Sequence, residues 1–197
     1  MNIEIRKLTS DMLEDYLNFF ETEAHADNEE EDRCYWVCWC SADHRVETDF
    51  SSPEKRRDLA VQYITAGIIQ GYLAYCDDRV VGWCNANTKS HCIHCTSWLR
   101  FMSEINTIEP DPNSRVKSIF CFAIAPTMKR KGIATQLLEY VCKDSADDGF
   151  DYIEAYPNKK FVNSFSDFMG PVDMFKRHGF ISYGETEHKL VMRKHLK

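Results

Sequence analysis

The segment that decides the fold is SIFCFAIAPTMKRKGIATQLLEYV, residues 118–141. Its first part, IFCFAIA at 119–125, is a continuous apolar run that stops at Pro126, which predicts a strand covered on both faces. A short basic turn, KRKGIA at 129–134, follows it. The apolar residues after the turn recur at helical spacing and predict a helix of about four turns that ends at Gly149. They are Ala134, Leu137, Leu138, Val141 and Cys142.

A second apolar stretch, YIEAY at 152–156, comes directly after this helix and before Pro157. The order is therefore strand, turn, helix, strand. Two strands joined through one helix lie parallel in a sheet, with a right-handed crossover. The sequence thus predicts an α/β fold in which these two strands are parallel neighbours.

The rest of the chain predicts further elements of one domain spanning residues 1–197. One helix is expected after Ser10, which can cap it, and another from Pro53 to about Gly67. The polar interval at about 86–115 is expected to be an extended insertion. The remaining expected elements are a strand at 3–8, a hairpin turning at Asp77–Asp78, a short helix carrying Trp98, Phe101, Met102 and Ile105, a short helix through Met174, Phe175 and Lys176, and strands around 180–183 and 189–193.

The composition is that of an ordinary globular protein: 197 residues, 44% hydrophobic and 28% charged. The 24 Lys and Arg residues against 31 Asp and Glu residues give a net charge of −7, which argues against a non-specific nucleic-acid binder. No apolar run approaches the roughly 18 residues of a membrane span. The opening segment MNIEIRKLTS lacks the pattern of a signal peptide. A cytoplasmic protein is therefore expected, with no membrane or nucleic-acid partner.

The basic turn is a candidate anion site. Backbone N–H groups at the start of a helix favour phosphate oxygens, as does the positive end of the helix dipole. Gly132 allows a ligand to approach the backbone closely because it has no Cβ. Lys129, Arg130 and Lys131 add positive charge to a chain that is acidic overall. The alternative is an ordinary strand-to-helix turn with solvated basic side chains.

Residues 118–141 resemble the acyl-CoA-binding motif of the GNAT superfamily of N-acyltransferases. The family pattern is Arg/Gln-x-x-Gly-x-Gly/Ala, and residues 129–134 match it except that Lys129 replaces the usual Arg or Gln. The ending MFKRHGF at 174–180 resembles the family's LYEKLGF-like segment. The resemblance implies a single-domain GNAT-like fold, with a mixed, largely antiparallel central sheet, a splayed parallel strand pair and helices on both faces.

The resemblance also implies acetyl-CoA as the cofactor. Amides of the turn would hold the pyrophosphate and the edge of the motif strand would pair with the pantetheine amides. A strand N–H near the acyl carbonyl would stabilise the oxyanion of a tetrahedral intermediate. The implied cofactor-binding residues are Phe122, Ala123, Ile124, Lys129, Arg130, Lys131, Gly132, Ile133, Ala134, Thr135 and Phe175.

The family's usual proton-handling residues are missing from their usual positions. Phe175 replaces a tyrosine that acts as general acid in many members, and Ser118 stands where some members have a glutamate base. Nearby alternatives are Tyr156, Tyr183 and Glu154, each of which is more simply a core or surface residue. Cys121 on the motif strand suggests a small buried hydrophobe rather than a nucleophile. The catalytic residues are therefore left unassigned.

The acceptor side is expected to include the region after the first helix. There the acidic run from Asp27 to Asp32 and the side chains of Trp36 and Trp39 would suit a cationic amine. A solvated acidic loop beside core tryptophans is the plainer alternative. We expect charge reversal at Glu29, Glu30 and Glu31 to raise the amine KM if the first interpretation holds.

Nine cysteines are an unusual number for such a chain. Cys92 and Cys95 form a C-x-x-C pair, and Cys38 and Cys40 could supply two more thiolates, but the C-x-C spacing is too tight for a usual zinc knuckle. No metal is predicted. Cys76, Cys84, Cys121 and Cys142 fall in expected strands or the motif helix and are assigned to the core, whereas the purpose of Cys34, Cys38, Cys40, Cys92 and Cys95 stays open.

The function expected from the sequence is transfer of an acetyl group from acetyl-CoA to a primary amine by direct attack in a ternary complex. The amine could be a small molecule or a side chain. A non-catalytic acyl-CoA-binding or sensing domain of the same fold is the alternative, because of Phe175 and Ser118. A second copy of the chain is left open as a partner.

Overall fold

The computed structural model describes residues 2–25, 33–40, 49–162 and 167–197. One seven-stranded sheet runs through them in the order β1-β2-β3-β4-β5-β7-β6. The strands are β1 (Glu4–Lys7), β2 (Gly71–Cys76), β3 (Arg79–Thr88), β4 (Val116–Ile124), β5 (Tyr152–Ala155), β6 (Ile181–Glu185) and β7 (Leu190–His195). The helices are α1 (Leu13–Thr22), α2 (Pro53–Thr65), α3 (Lys89–Cys92), α4 (Thr96–Phe101), α5 (Ile133–Asp147) and α6 (Val172–Arg177).

The predicted strand–turn–helix–strand unit is confirmed. β4 and β5 pair in parallel, with α5 between them in the chain, and every other pair in the sheet is antiparallel. β4 is buried over its first six residues because β3 and β5 flank it and helices cover its faces. The mixed, largely antiparallel sheet predicted for the fold is therefore present.

Local sequence signals placed several elements correctly. Ser52 caps α2, where its Oγ accepts a hydrogen bond from the N–H of Lys55 at 3.3 Å. The β2–β3 hairpin turns at Asp77 and Asp78, and both have positive φ, as a two-residue turn of the I′ type requires. Gly149 follows the end of α5 with a φ of +79°. Such left-handed glycines commonly end helices.

Two helix predictions were wrong in detail. Ser10 does not cap α1, because Ser10–Met12 forms a separate 3-10 turn and α1 begins at Leu13. The helix through Trp98 ends at Phe101, so the apolar stripe does not continue along it. Trp98 is buried, but 47% of Phe101 is exposed.

Candidate functional site

The site begins where β4 and β5 stop pairing. Their last register pair is Ile119 with Ala155, whereas β3 remains paired with β4 as far as Ile124. Beyond Ile119, one edge of β4 is therefore left without a neighbouring strand. Phe122, Ala123 and Ile124 lie on this stretch and are only partly buried. A ligand with amide groups can pair with such an edge as an added strand would.

One backbone group on this edge already has a partner. The N–H of Phe122 donates to the carbonyl oxygen of Phe168 at 2.7 Å. The ring of Phe168 packs against Trp36, with ring centroids 5.3 Å apart. The chain before α6 therefore crosses the opening between β4 and β5, and a ligand that needs the Phe122 N–H must replace the Phe168 carbonyl.

The basic turn leads from this edge into α5. Lys129, Arg130, Lys131 and Gly132 are all exposed, and Gly132 is the N-cap of α5 with a φ of +80°. A Cβ built on Gly132 would meet no atom within 4 Å, so the backbone here is open to a ligand. This is the open approach that the sequence predicted for Gly132.

The first turn of α5 supplies unpaired backbone donors. The first intrahelical bond runs from the Gln136 N–H to the Gly132 carbonyl at 3.0 Å. The N–H groups of Ile133, Ala134 and Thr135 precede it and have no acceptor within the helix. Ile133 is buried and anchors the turn, while Ala134 and Thr135 are partly exposed. With three cations beside them, these amides are suited to phosphate.

Phe175 lies behind the strand edge and not on its surface. It is fully buried, with its ring centroid 6.4 Å from that of Phe122 and 5.3 Å from that of Phe180. It can therefore support Phe122 by packing but supplies no proton.

Two of the alternative proton-handling residues belong to one buried polar chain. The Tyr156 hydroxyl donates to Glu154 Oε2 at 2.7 Å and lies 2.6 Å from Ser118 Oγ. An ionised carboxylate only accepts hydrogen bonds, so the Tyr156 hydroxyl donates its proton to Glu154. The Ser118 hydroxyl must then donate to the Tyr156 oxygen. Burial raises the pKa of Tyr156 well above its usual value, and the charge of Glu154 raises it further. The phenol therefore stays protonated at neutral pH.

Glu154 is in turn held by two buried cations. Arg193 Nε donates to Glu154 Oε1 at 2.7 Å, and Lys89 Nζ lies 3.0 Å from Glu154 Oε2. The same two cations bridge to Glu109, each at 2.7 Å. Two carboxylates and two cations thus form a closed, charge-balanced group, which we call the buried ion group (Lys89, Glu109, Glu154 and Arg193).

Aromatic rings stand between the buried ion group and the open edge of β4. Tyr156 stacks on Phe120 at 5.9 Å, and Phe120 stacks on Trp39 at 4.9 Å. Trp98 packs edge-on against both Phe120 and Tyr156. Ser118, Phe120 and Tyr156 have no exposed surface. The buried ion group therefore joins β5, β7 and α3 inside the protein, behind an aromatic wall.

The remaining candidates are spread out. Tyr183 on β6 is 46% exposed, and the Arg193 guanidinium lies 3.7 Å from its ring centroid. Cys121 is fully buried, and that burial raises the pKa of its thiol well above the usual range, which suits a core residue. Trp39 is buried, while Trp36 is partly exposed. The acidic run Asp27–Asp32, with Glu29, Glu30 and Glu31, lies outside the described residues.

The structure assigns most of the cysteines to the core. Cys84, Cys121 and Cys142 are buried as predicted, but Cys76 is only partly so, because it lies at the end of β2 beside the hairpin turn. Cys40, Cys92 and Cys95 are also buried, and Cys95 Sγ caps α4 by accepting from the Trp98 N–H at 3.4 Å. Across residues 2–25, 33–40, 49–162 and 167–197, no three His, Cys, Asp or Glu side chains form a group that could hold a metal ion.

Sequence reasoning missed the buried ion group and the Phe168 carbonyl. Glu154 inside the apolar stretch YIEAY and Arg193 inside KLVMR were visible as charges in strand interiors. Such charges are almost never buried without a partner, so each implied one. Their pairing with Lys89 and Glu109 had no local signal.

Comparison with known families agrees with this geometry. Residues 5–180 match the model of the acetyltransferase (GNAT) family. The chain belongs to the GNAT family. Enzymes of this family use acetyl-CoA, and the open β4 edge with the exposed α5 start provides backbone donors and space for such a cofactor. No curated protein sequence matches the chain. No helix within the described residues is long and apolar enough to cross a membrane.

Solved structures share the fold over the whole chain. A GNAT-family protein from Desulfovibrio desulfuricans is 14% identical with a TM-score of 0.57, and each chain is covered completely. PaiA N-acetyltransferase from Thermoplasma acidophilum, in complex with coenzyme A, is 16% identical over 99% of each chain, with a TM-score of 0.53. The spermidine/spermine N-acetyltransferase SpeG from Vibrio cholerae is 13% identical over 99% of this chain and 95% of its own, with a TM-score of 0.57. At these identities the likeness concerns the fold alone.

Proposed function

We propose that this GNAT-family member transfers an acetyl group from acetyl-CoA to a primary amine by direct attack in a ternary complex. The observation that carries the proposal is the continuity of the site. The unpaired edge at Phe122–Ile124 leads into the exposed turn at Lys129–Gly132 and the free amides of α5. One ligand with an amide-bearing arm and a pyrophosphate matches both parts.

The residues of the turn and the edge have separate tasks in this proposal. The amides of Ile133, Ala134 and Thr135 bind phosphate oxygens, and the edge of β4 aligns the pantetheine arm. Acetyl-CoA supplies the acetyl group as a thioester. The Phe122 N–H, freed from the Phe168 carbonyl, donates to the acetyl oxygen as negative charge develops there.

The buried ion group has a structural task in the proposal. Its members lie behind Phe120, and Glu154 is neutralised by Arg193 and Lys89. We therefore assign no proton transfer to Glu154 or Tyr156. The amine must then enter in its neutral form, which for an alkyl amine with a pKa of about 10.4 is a small fraction at neutral pH.

A non-catalytic acyl-CoA-binding domain is the second candidate. It is favoured by one observation, the bond between the Phe122 N–H and the Phe168 carbonyl, because this bond occupies the donor that catalysis would use. Both candidates predict that acetyl-CoA raises the melting temperature. Only the enzyme predicts release of free coenzyme A thiol when an amine is added.

The deciding experiment is therefore a thermal melt with acetyl-CoA, followed by a thiol-release assay on a panel of mono-, di- and polyamines. We expect a rise of several degrees with millimolar acetyl-CoA, and amine-dependent thiol release. No thermal shift would contradict both candidates, whereas a shift without thiol release for any amine would favour the binding domain. Faster reaction of polyamines than of monoamines without a second charged group would support a cationic acceptor.

The pH dependence of the reaction rate tests our proposal that no protein group removes the proton from the amine. With an alkyl amine acceptor, kcat/KM for the amine should rise about tenfold per pH unit between pH 6.5 and 8.5, following the neutral fraction of the amine. The measurement is initial thiol release at saturating acetyl-CoA. A rate that levels off below about pH 8 would show that a protein group takes the proton. Loss of that plateau in Tyr156→Phe, but not in Tyr75→Phe, would identify the Tyr156–Glu154 chain as its route.

Tyr75 is the matched control because its hydroxyl also donates to a carboxylate at 2.7 Å, that of Asp15, and the residue is 3% exposed. Tyr75→Phe removes the same kind of bond outside the Tyr156–Glu154 chain.

A further inference from the structure

Among the described residues, three cationic side chains are buried, and one of them lacks an ion pair there. Lys89, Arg193 and Lys117 are 4%, 5% and 3% exposed. Lys89 and Arg193 each contact two carboxylates. Lys117 Nζ instead donates to the side-chain oxygen of Gln70 at 3.3 Å and lies 4.6 Å from the centroid of the Phe150 ring. Within the described part of the chain, no carboxylate forms an ion pair with it.

A buried ammonium without a counter-charge is costly, because transfer from water is repaid only by an ion pair or strong hydrogen bonds. The amide of Gln70 and the face of Phe150 offset only part of that cost. Burial, together with the nearby charge of Lys7, lowers the pKa of Lys117 to about 8. The side chain therefore still carries a positive charge at neutral pH.

Lys117 and Gln70 line a cavity of about 300 Å³. Ser10, at its rim, is exposed, so the cavity runs from the surface to the buried ammonium. This volume is at the lower end of the range for small-molecule sites. Lys117 is near the start of β4, five residues before Phe122, or roughly 16 Å along the strand at 3.3 Å per residue. The cavity is thus remote from the edge assigned to acetyl-CoA.

The lining limits the chemistry of a ligand. The Ser10 hydroxyl offers a hydrogen-bond donor, while Ile64, Ile69 and Ala86 form an apolar wall. The Thr9 hydroxyl also lines the cavity but already bonds the Asp11 carboxylate. Lys7 also lines the cavity, but its ammonium is already paired with Asp144 at 3.0 Å and with Asp148. One positive charge is therefore free, and two carboxylates stand nearby. A singly charged anion with a short apolar body fits this arrangement better than a phosphate dianion.

We propose that this cavity is a binding site for a small monocarboxylate, held through an ion pair with Lys117 and a hydrogen bond from the Ser10 hydroxyl. The ligand supplies the counter-charge that the buried ammonium lacks. The proposal does not depend on the acetyltransferase function, because no residue of the cavity belongs to the β4 edge or the basic turn.

The charged and titratable groups around Lys117 set the pH window. They are Lys7 on β1, Asp144 on α5, Asp148 directly after the end of α5, and Cys92 on α3. The pKa of Asp144 is lowered and that of Lys7 is raised, so both keep their charges between pH 6.5 and 9.5. Burial raises the pKa of the Cys92 thiol well above its usual value, so Cys92 stays neutral. Lys117 is the member of this set that loses its charge in that range. Carboxylate binding should therefore be strong at pH 6.5 and weak at pH 9.5.

The test uses sodium propionate as the probe and sodium chloride at equal ionic strength as the reference. At pH 6.5, propionate at about ten times its Kd should raise the melting temperature by roughly 3 °C. Lys117→Met, which keeps the length and removes the charge, should abolish the shift, and Ser10→Ala should weaken propionate binding several-fold. Lys143→Met removes an exposed charge, 77% of its side chain being accessible, and should leave the shift unchanged.

Three outcomes would overturn the site. The first is the absence of any propionate-specific shift in the wild-type protein up to about 50 mM, and the second is an equal shift in Lys117→Met. The third is loss of the propionate shift when acetyl-CoA is present at saturation, which would place propionate at the acetyl-CoA site. If Lys117→Met does not fold, the Ser10→Ala variant and the pH comparison still test the proposed site. Ser10 is exposed, so removing its hydroxyl leaves the core intact.

Discussion

Gly132→Asp should weaken acetyl-CoA binding by at least about 100-fold while the protein stays folded. The new carboxylate would stand at the N-cap of α5, beside the free amides of Ile133, Ala134 and Thr135. There it would accept the hydrogen bonds intended for the phosphates and repel their negative charge. Its Cβ meets no atom within 4 Å, so the loss would come from competition and charge and not from a clash. Isothermal titration with acetyl-CoA measures the loss of affinity, and a melting curve shows whether the variant stays folded.

Two control variants separate the effect of the new charge from the effect of the strained backbone. Gly132→Ala carries the same strain of a positive φ, on the order of 1 kcal/mol, without a charge, and should bind acetyl-CoA within about fivefold of wild type. Gly67→Asp places the same residue at a φ of +69° where, again, nothing lies within 4 Å, and should bind normally. If Gly132→Asp binds as tightly as Gly132→Ala, the phosphates do not lie at this turn and the proposed cofactor site is wrong.

The backbone course of this region could be predicted from the sequence because its signals are local. The apolar run ending at Pro126, the glycine at 132 and the helical spacing after it each act over a few residues. Their positions match β4, the left-handed N-cap and α5. The family motif is a description of the same three signals in order. Asp77 and Asp78 gave the hairpin turn for the same reason, since the two-residue turn is specified by the residues within it.

The failures share a different physical cause, namely that burial is decided by distant parts of the chain. The spacing of Phe101 with Trp98 suggested one buried face, but α4 ends at Phe101 and leaves that ring partly outside. Ser10 has the chemistry of a cap, yet the chain takes a 3-10 turn before α1 begins. A helical pattern shows which residues could share a face, and tertiary packing decides how far the helix runs.

In the candidate site, too, some features depend on neighbouring residues and others on contacts between residues far apart in the sequence. The amides and cations of the turn follow from residues 129–135, whereas the partner of the Phe122 N–H is Phe168, 46 residues away in the sequence. Backbone pairing of this kind leaves no trace in side-chain chemistry. The cysteines are similar: Cys95 caps α4 through its sulfur, a role that its C-x-x-C spacing did not suggest.

The buried ion group gives the second large prediction. Glu154→Gln should lower the free energy of unfolding by about 3–5 kcal/mol, as expected when one partner of a buried ion pair is removed. The four charges of Lys89, Glu109, Glu154 and Arg193 sum to zero in the wild type. The variant leaves two cations facing one carboxylate, Glu109, in an interior where Glu154 had no exposed surface. Urea unfolding followed by tryptophan fluorescence measures the change, and the melting temperature should fall by roughly 10 °C.

Glu4→Gln is the matched control for geometry. Glu4 pairs with Arg6 at 2.7 Å, the separation also found between Arg193 Nε and Glu154, but 59% of its side chain is exposed. No measurable change in the melting temperature is expected there, because water replaces the lost partner and screens the remaining charge. A comparable loss in both variants would mean that the pair geometry, and not burial, carries the stability.

A double variant then separates the cost of an unpaired charge from the value of the pair. Arg193→Met alone leaves two carboxylates facing Lys89 and should be as destabilising as Glu154→Gln. Combining the two changes restores neutrality, with Lys89 and Glu109 still paired at 2.7 Å. The double variant should therefore be more stable than the sum of the two single losses predicts, by about 2 kcal/mol or more. Strict additivity would contradict the coupling, and would mean that Arg193 and Glu154 stabilise β5 and β7 through separate contacts.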